Sequence, residues 1–595
     1  MENLPPELID RITFYLEPED LKQTLVVSRI FQDAAERHSG AFNAFRFTCD
    51  DHEPSKFPDA FKETKDGRDN WTKFLEIYSG RRLRYLRYVE VHTSFPPLKC
   101  TENDPEEWPC RESRDELRVK DEDFTKQIKR VFETLKALED HGGQAHSTRK
   151  IELTIFTPFR WVDDVFCRHH VSSAWRVHLL RPEELPELPY VHSFSICNPE
   201  DISYTNYGLL RKGRFWSPSR LDYRVLIDIA SRLPNLQYLG CRLGIQEGRL
   251  TDENPARKHF EHDYEACARD SRHDFAKALE SVKIPASLKY AQLDFVTNSP
   301  QHTNEERGKA PNFLIGQIPQ DPFSTNLRIF ASNLRHLDIR LMADSSLFWP
   351  AHGSVSWPNL EHLNITFHTT TPSGSWYFRG LPGAAEVEDE DGYEVTDDMY
   401  PPLESNTSHD LRWHRHDSLN HQPHYVEQFQ IIPREETLHP FLAAFAKSAS
   451  NMHALKSASL SALLDDLDDE VWGVAYSQPG EFATLWGPQR NERSSARELW
   501  WSVGAWRPDA SLHELFQGIG AAKHGGDMTE YWNFRYYGGD MLLGPEVFKL
   551  SLAALPRSDR VYSRMSCVKD YCCPSGCCRP PLRDRIIRFE SSASL

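Results

Sequence analysis

The chain has 595 residues, 39% hydrophobic and 27% charged, with 15 Trp and 33 Phe. So much apolar and aromatic mass can bury a large core, which excludes whole-chain disorder. The formal net charge of -18 argues against a nucleic-acid binder or an anionic-membrane binder, both of which need an excess of Lys and Arg.

At about 150 residues per domain the length suggests about four domains, unless repeats let one body keep growing. No apolar run approaches the ~20 residues that span a bilayer. The opening residues Met1 to Leu21 carry acids where a signal peptide carries bases, so secretion is not expected. Twelve Cys are too sparse for a disulfide scaffold, and those from Cys49 to Cys267 are scattered singly, as in a reducing compartment. The expected location is cytoplasmic, nuclear or both.

Three short helices are predicted at the start. Asn3-Leu4-Pro5-Pro6-Glu7 opens the first, since proline suits a first turn and Glu7 complements the positive helix end. Leu8, Ile12 and Leu16, with Ile9 beside them, give an apolar stripe. Pro18 stops that helix and starts the next, which carries Leu21 and Leu25; Ser28 is a natural N-cap for a third, carrying Phe31, Ala34 and Ala35. A unit shorter than ~40 residues rarely holds a core alone. An apolar face should therefore meet a partner or the rest of the chain.

Residues 97–120 are rich in Pro, Glu and Arg and read as a surface loop. Phe124, Ile128, Val131, Phe132, Leu135 and Leu138 mark an amphipathic helix ending near Gly142, followed by the alternating strand Ile151–Ile155. The form L-x-x-L-x-L then recurs: Leu236–Cys241, Leu334–Ile339 and Leu360–Ile365, with looser copies at Leu86–Val91, Val191–Ile196, Leu288–Leu293 and Leu455–Leu460. Their last residues alternate apolar and polar, a strand signature. Helical patterns precede several copies: Val225 to Leu233, Phe275 to Val282, and Phe441 to Phe445. A helix–turn–strand unit cannot bury both faces alone, so neighbours must stack. The copies are irregular, from 26 residues apart (334 to 360) to 95 apart (360 to 455). The alternative is an ordinary α/β domain whose buried strands look alike.

Residues 379–422 hold the acidic run Glu386–Asp391 and many His and Pro, and read as a mobile insertion. A second acidic run, Asp465–Glu470, lacks the ligand order of a calcium loop and reads as a solvated turn. Glu498–Trp501 and Trp506 read as a late helix whose tryptophans serve core or cap. No phosphate loop, G-x-S-x-G elbow or H-E-x-x-H pair occurs, and adjacent His169 and His170 would point apart. No catalysis and no cofactor are expected. Cys567, Cys572, Cys573, Cys577 and Cys578 crowd the last residues; they fit a disordered tail, weak metal ligands, or lipidation beside Arg579 and Arg583.

The ordered string Leu4-Pro5-Pro6-Glu7-Leu8-Ile9-Asp10-Arg11-Ile12, Leu16, Pro18-Glu19-Asp20-Leu21 and Leu25-Val26-Val27-Ser28 resembles an F-box. Many F-boxes carry Trp near the position of Phe31, where this chain departs. The L-x-x-L-x-L strands resemble leucine-rich repeats. Further stretches, Ser39–Phe42, Phe74–Arg82, Ser271–Ala278 and Ser373–Phe378, look like a large F-box group of filamentous fungi with unassigned targets.

The resemblance implies an α/β chain: an N-terminal three-helix F-box-like module followed by an irregular leucine-rich-repeat-like α/β solenoid. The expected organisation is a module over 1–40, a connecting region with the first strand and the surface loop over 41–120, the solenoid over 121–555, and a Cys- and Arg-rich tail over 556–595. It also implies a non-catalytic substrate receptor of a Skp–cullin–F-box ubiquitin ligase. Leu4, Pro5, Leu8, Ile9, Ile12, Leu16, Leu21, Leu25 and Val27 would form the apolar set that faces, or supports the face toward, a Skp-type adaptor and through it a cullin. The body would bind an unknown protein target, with Trp376 and Tyr377 as offered contacts unless they are buried loop anchors. The alternative role is a structural scaffold whose first helices only cap the repeats. Neither nucleic acid nor membrane is an expected partner.

Overall fold

The structure, a computed structural model, describes residues 4–48, 70–98, 111–142, 150–163, 175–198, 214–243, 259–260, 262–296, 310–315, 318–350, 357–379, 392–402, 410, 412, 432–465, 470–481, 494–504, 506–526 and 528–533. The expectations for His169 and His170, Glu386–Asp391 and the terminal cysteines lie outside these residues.

The first three helices form as the sequence predicts: α1 (Pro6–Tyr15), α2 (Pro18–Thr24) and α3 (Arg29–Ser39). Pro6 occupies the first turn of α1, where a missing N–H costs nothing. The Phe31 N–H donates to Ser28 Oγ at 3.3 Å, capping α3. Gly40, at φ 68°, ends α3 in the left-handed conformation that a side chain resists.

The body is mixed α/β. Its helices are α4 (Asn70–Tyr78), α5 (Arg114–Gly142), α6 (Arg224–Ala230), α7 (Tyr264–Ser281), α8 (Pro322–Phe330), α9 (Glu435–Ser450), α10 (Ala510–Gln517) and α11 (Ala521–His524). Its strands are β1 (Ala44–Thr48), β2 (Tyr88–Leu98), β3 (Ile151–Asp163), β4 (Val191–Cys197), β5 (Arg214–Pro218), β6 (Tyr238–Arg242), β7 (Tyr290–Asp294), β8 (Pro311–Asn312), β9 (His336–Leu341), β10 (His362–Phe367), β11 (Phe378–Arg379), β12 (Tyr393–Glu394), β13 (Ile432–Pro433), β14 (Ser457–Asp465), β15 (Glu470–Ser477), β16 (Arg497–Ser502) and β17 (Met528–Asn533). One 13-stranded sheet runs β1-β2-β3-β4-β6-β7-β9-β10-β14-β15-β16-β17, with β5 added to β3. From β1 to β14 every neighbour on that path is parallel. β15 and β16 turn antiparallel, and β17 returns parallel to β16.

Each L-x-x-L-x-L copy supplies one strand of this sheet, and the copies pair position for position. Phe194, Leu239, Ala291, Leu337, Leu363 and Ala458 form one rung, and Ile196, Cys241, Leu293, Ile339, Ile365 and Leu460 another. Side chains alternate across a strand, so both rungs face one side. There they join a continuous core with residues of α4 to α10, from Phe42 to Ile519. The intervening rungs are mostly polar and form the other face.

Three local expectations are corrected. Glu498–Trp501 is part of β16, not of a helix: Trp501 is buried in the core while Trp500 stacks on Tyr531 at 4.0 Å on the polar face. That opposite placement of neighbours is strand geometry. The loop read over 97–120 gives way to α5 from Arg114, and Lys120 is 5% exposed because its ammonium pairs with buried Glu112. Part of the insertion is anchored. Val395 and Met399 pack with Tyr264, Phe313 and Met342 in a second core, and buried Asp410 holds Arg111 at 2.7 Å.

Candidate functional site

Two surfaces concentrate unusual chemistry: the outer face of the first three helices and the polar face of the sheet. On α1 the buried residues are Ile9 and Thr13, and the Thr13 hydroxyl donates to the Ile9 carbonyl at 2.9 Å. Ile9 packs with Phe31 and Ala34 in a small core of their own, with Leu4 against it. This leaves the Leu8–Ile12 edge of the stripe outside, at 48% and 42% exposure. Phe14, Tyr15, Val26, Val27 and Ile30 are also exposed, up to 88% at Val26. Together with Leu8 and Ile12 they account for seven of the twelve large exposed hydrophobics among the described residues, a density that marks interaction surfaces.

The predicted adaptor set therefore divides. Pro5, Leu8, Ile12 and Val27 face outward, Ile9 and Leu21 are buried, and Leu4, Leu16 and Leu25 are half-buried. Phe14, Tyr15, Val26 and Ile30 were missed. They fall outside the four-residue stripe, and their only sequence signal is apolar bulk in a unit too small to bury it. Beside this face an open groove of about 600 Å³ runs between α1 and α3, lined by Pro6, Asp10, Ile30 and Ala34 with Arg81 and Arg84 on its body side.

Ion pairs fix the helices to each other and to the body. Asp10 accepts from Arg37 at 2.9 Å and lies 2.8 Å from His38, tying α1 to α3. Glu36, 1% exposed, accepts from Arg81 at 3.2 Å and from Arg82 at 2.8 Å. Tyr85 donates its hydroxyl to the Asp33 carbonyl at 3.0 Å.

Of the offered target contacts, Tyr377 is only 1% exposed. Its hydroxyl donates to the Ala343 carbonyl at 2.8 Å and its ring packs on Phe367 and Phe441. It is a core anchor and not a surface contact, because its loop turns the ring back under β10. Trp376 is half-buried, bridged to Thr370.

The polar face of the sheet carries Glu90, Glu152, Ser193, Tyr238, Gln292 and His336 on successive strands. Gly240 gives the Tyr238 ring room: an added Cβ would lie 2.7 Å from Ser195 Oγ and 3.0 Å from Tyr238. Tyr238 donates its hydroxyl to Gln292 Oε1 at 2.9 Å. The two carboxyls behave oppositely. Burial alone would raise Glu90, but His92 and Arg46, the latter at 2.7 Å, bring it down to about 2. Burial and then the charge of Glu90 push Glu152 up to about 8. His336, buried and beside His362, drops to about 3.

Among the described residues no group of three or more His, Cys, Asp or Glu is gathered to hold a metal ion. No helix among them is long and apolar enough to cross a membrane. The chain matches no protein-family model and no curated protein.

Proposed function

We propose that this chain is a non-catalytic substrate receptor of a Skp–cullin–F-box-type ubiquitin ligase. The three N-terminal helices act as an F-box and dock on a Skp-type adaptor, which links them to a cullin. The body acts as an irregular leucine-rich-repeat-like solenoid that presents a surface to a protein target. The observation that carries this reading is the exposed apolar set Leu8, Ile12, Tyr15, Val26, Val27 and Ile30. Burying a Leu or Ile side chain is worth roughly 1.5–3 kcal/mol, so this set would contribute much of the free energy of a stable contact. The in-register strands in chain order support the solenoid part of the reading.

A pull-down with purified adaptor tests it. The intact chain is expected to be captured, and a Leu8→Asp plus Ile12→Asp variant to lose capture at an unchanged melting temperature, since both positions are solvent-facing. Equal capture of the intact chain and of a chain lacking residues 1–40 would sink the proposal.

A second reading, a scaffold whose first helices merely cap the body, draws on the buried Glu36 contact with Arg81 and Arg82. It expects removal of residues 1–40 to lower the melting temperature of the body markedly. The receptor reading expects little change.

A further inference from the structure

The open groove of about 600 Å³ between α1 and α3 lies where the first helices meet the body. Its volume is within the ~300–1,000 Å³ usual for a site that receives a ligand. Its lining is rich in arginine. Arg29 and Arg37 come from α3, and Arg81 and Arg84 from the short turn Arg81–Tyr85 of the body. The side chains of Arg37, Arg81 and Arg84 are 52%, 38% and 41% exposed, and Arg29 is exposed as well. A partner can therefore reach all four.

The groove sets these four guanidinium groups against three carboxylates, Glu7, Asp10 and Asp33. Two of the carboxylates are already taken. Asp10 holds Arg37 at 2.9 Å, and Asp33 is shared between Arg81 at 2.9 Å and Arg84. Arg29 makes no ion pair or side-chain hydrogen bond among the described residues. A guanidinium carries several N–H donors in a fixed fork that fits a carboxylate, and the pairs in the groove use few of them. The first turns of α1 and α3, at Glu7 and at Arg29, also open onto the groove, and helix N-termini carry partial positive charge.

The groove is continuous with the apolar face. Ile30, 45% exposed, belongs to both, and exposed Val26 and Val27 come shortly before Arg29 in the chain. A partner that covers Val26, Val27 and Ile30 reaches the groove without leaving the surface. The chain as a whole carries a net charge of -18, which repels acidic ligands. Arginines clustered on so acidic a molecule make a local site and not part of a general attractive field.

We propose that the groove binds an acidic segment of the partner that covers the apolar face, with Arg29 as the anchoring contact. Aspartate or glutamate side chains of that segment pair with Arg29 and Arg84, while apolar residues of the same partner cover Ile30. Glu7, which has no cation of its own among the described residues, opposes the segment. This rests on the receptor reading, in which that partner is the Skp-type adaptor, and adds the charge the adaptor presents there. Arg29 stands on the helical module and Arg84 on the body, so a segment tied to both also reinforces their joint.

The test uses the full chain and short fluorescent peptides of alanine and serine with aspartate or asparagine at alternate positions, read by anisotropy. At low salt the aspartate peptide is expected to bind at least about ten-fold tighter than the asparagine peptide. The net charge of the chain opposes that order, so long-range attraction cannot produce it. The preference should shrink as salt rises toward about 0.5 M. It should also shrink in Arg29→Ala, vanish in Arg29→Ala plus Arg84→Ala, and widen in Glu7→Gln. It should survive in Arg118→Ala, which removes an exposed arginine of α5 outside the groove. Arg29 is exposed and unpaired, so its loss leaves the fold intact. Equal binding of the two peptides, no binding by either, a preference that survives the double substitution, or one lost in Arg118→Ala overturns the inference. Capture of purified adaptor, measured alongside, separates the two claims, and Arg29→Glu is expected to lower it about ten-fold. Capture unchanged by Arg29→Glu overturns the assignment of the groove to that partner, and a peptide preference without any capture overturns the receptor reading alone.

Discussion

Glu152 and Glu90 show how one face can hold two carboxyls in opposite states. Glu90 has Arg46 and is kept ionised; Glu152 has no cation beside it among the described residues and is held toward its protonated form by burial. The stability consequence has a definite sign. The folded value of Glu152, about 8, lies above the ordinary 4.5, so folding takes up a proton. Its stabilising share is full below about 4.5 and is lost as pH rises toward 8. Glu139, raised to about 7 mainly by burial, adds to the same slope. Glu152→Gln is therefore expected to flatten the fall in stability between those limits and to stabilise the chain at pH 8, by on the order of 2–4 kcal/mol. Urea unfolding at a series of pH values checks this; an unchanged slope contradicts it. None of this was visible in the sequence, where Glu152 reads as one polar residue of the alternating strand Ile151–Ile155.

At the scale of the element, the joint between α7, α8 and β9 depends on one buried ion pair. Arg272 and Asp321 are each essentially unexposed and 2.8 Å apart. Arg272 also donates to the Met342 carbonyl at 3.0 Å and lies over the Phe323 ring at 4.3 Å. Asp321 in turn caps α8 through the N–H groups of Phe323 and Ser324. Arg272→Ala leaves that carboxylate buried without its cation, next to Asp344, and should cost about 3–5 kcal/mol. Denaturant midpoints read the loss, and an effect under about 1 kcal/mol would show the pair to be dispensable. Elements with strong periodicity were legible before the fold: the three opening helices, α5 and each L-x-x-L-x-L strand. β16 was not, because Glu498-Leu499-Trp500-Trp501 is too short and too aromatic for period alone to separate strand from helix. Its pairing with β15 and β17 decided it.

At the scale of the molecule, a small helical unit is joined to a long sheet by charges: Glu36 with Arg81 and Arg82, and Asp33 with Arg81 at 2.9 Å. The arginines are about a third exposed, so the joint is worth less than a fully buried one. Glu36→Ala is expected to speed hydrogen exchange of the amides of α3 about ten-fold, equivalent to ~1.4 kcal/mol of local opening, while leaving those of β4 to β10 unchanged. Uniform acceleration across the sheet would instead make the helices a structural cap. The sequence by itself determined the three opening helices, α5, the repeat that makes each L-x-x-L-x-L strand like its neighbour, and the apolar excess of the first helices. Those are local patterns, set by periodicity, proline and capping chemistry. Only the tertiary structure decided that Leu8 and Ile12 lie outside while Ile9 lies inside, that Tyr377 is a core anchor, and that Glu152 is buried with its carboxyl pushed up to about 8. Exposure and pairing depend on which distant segments pack together, and no local spacing along a chain encodes that.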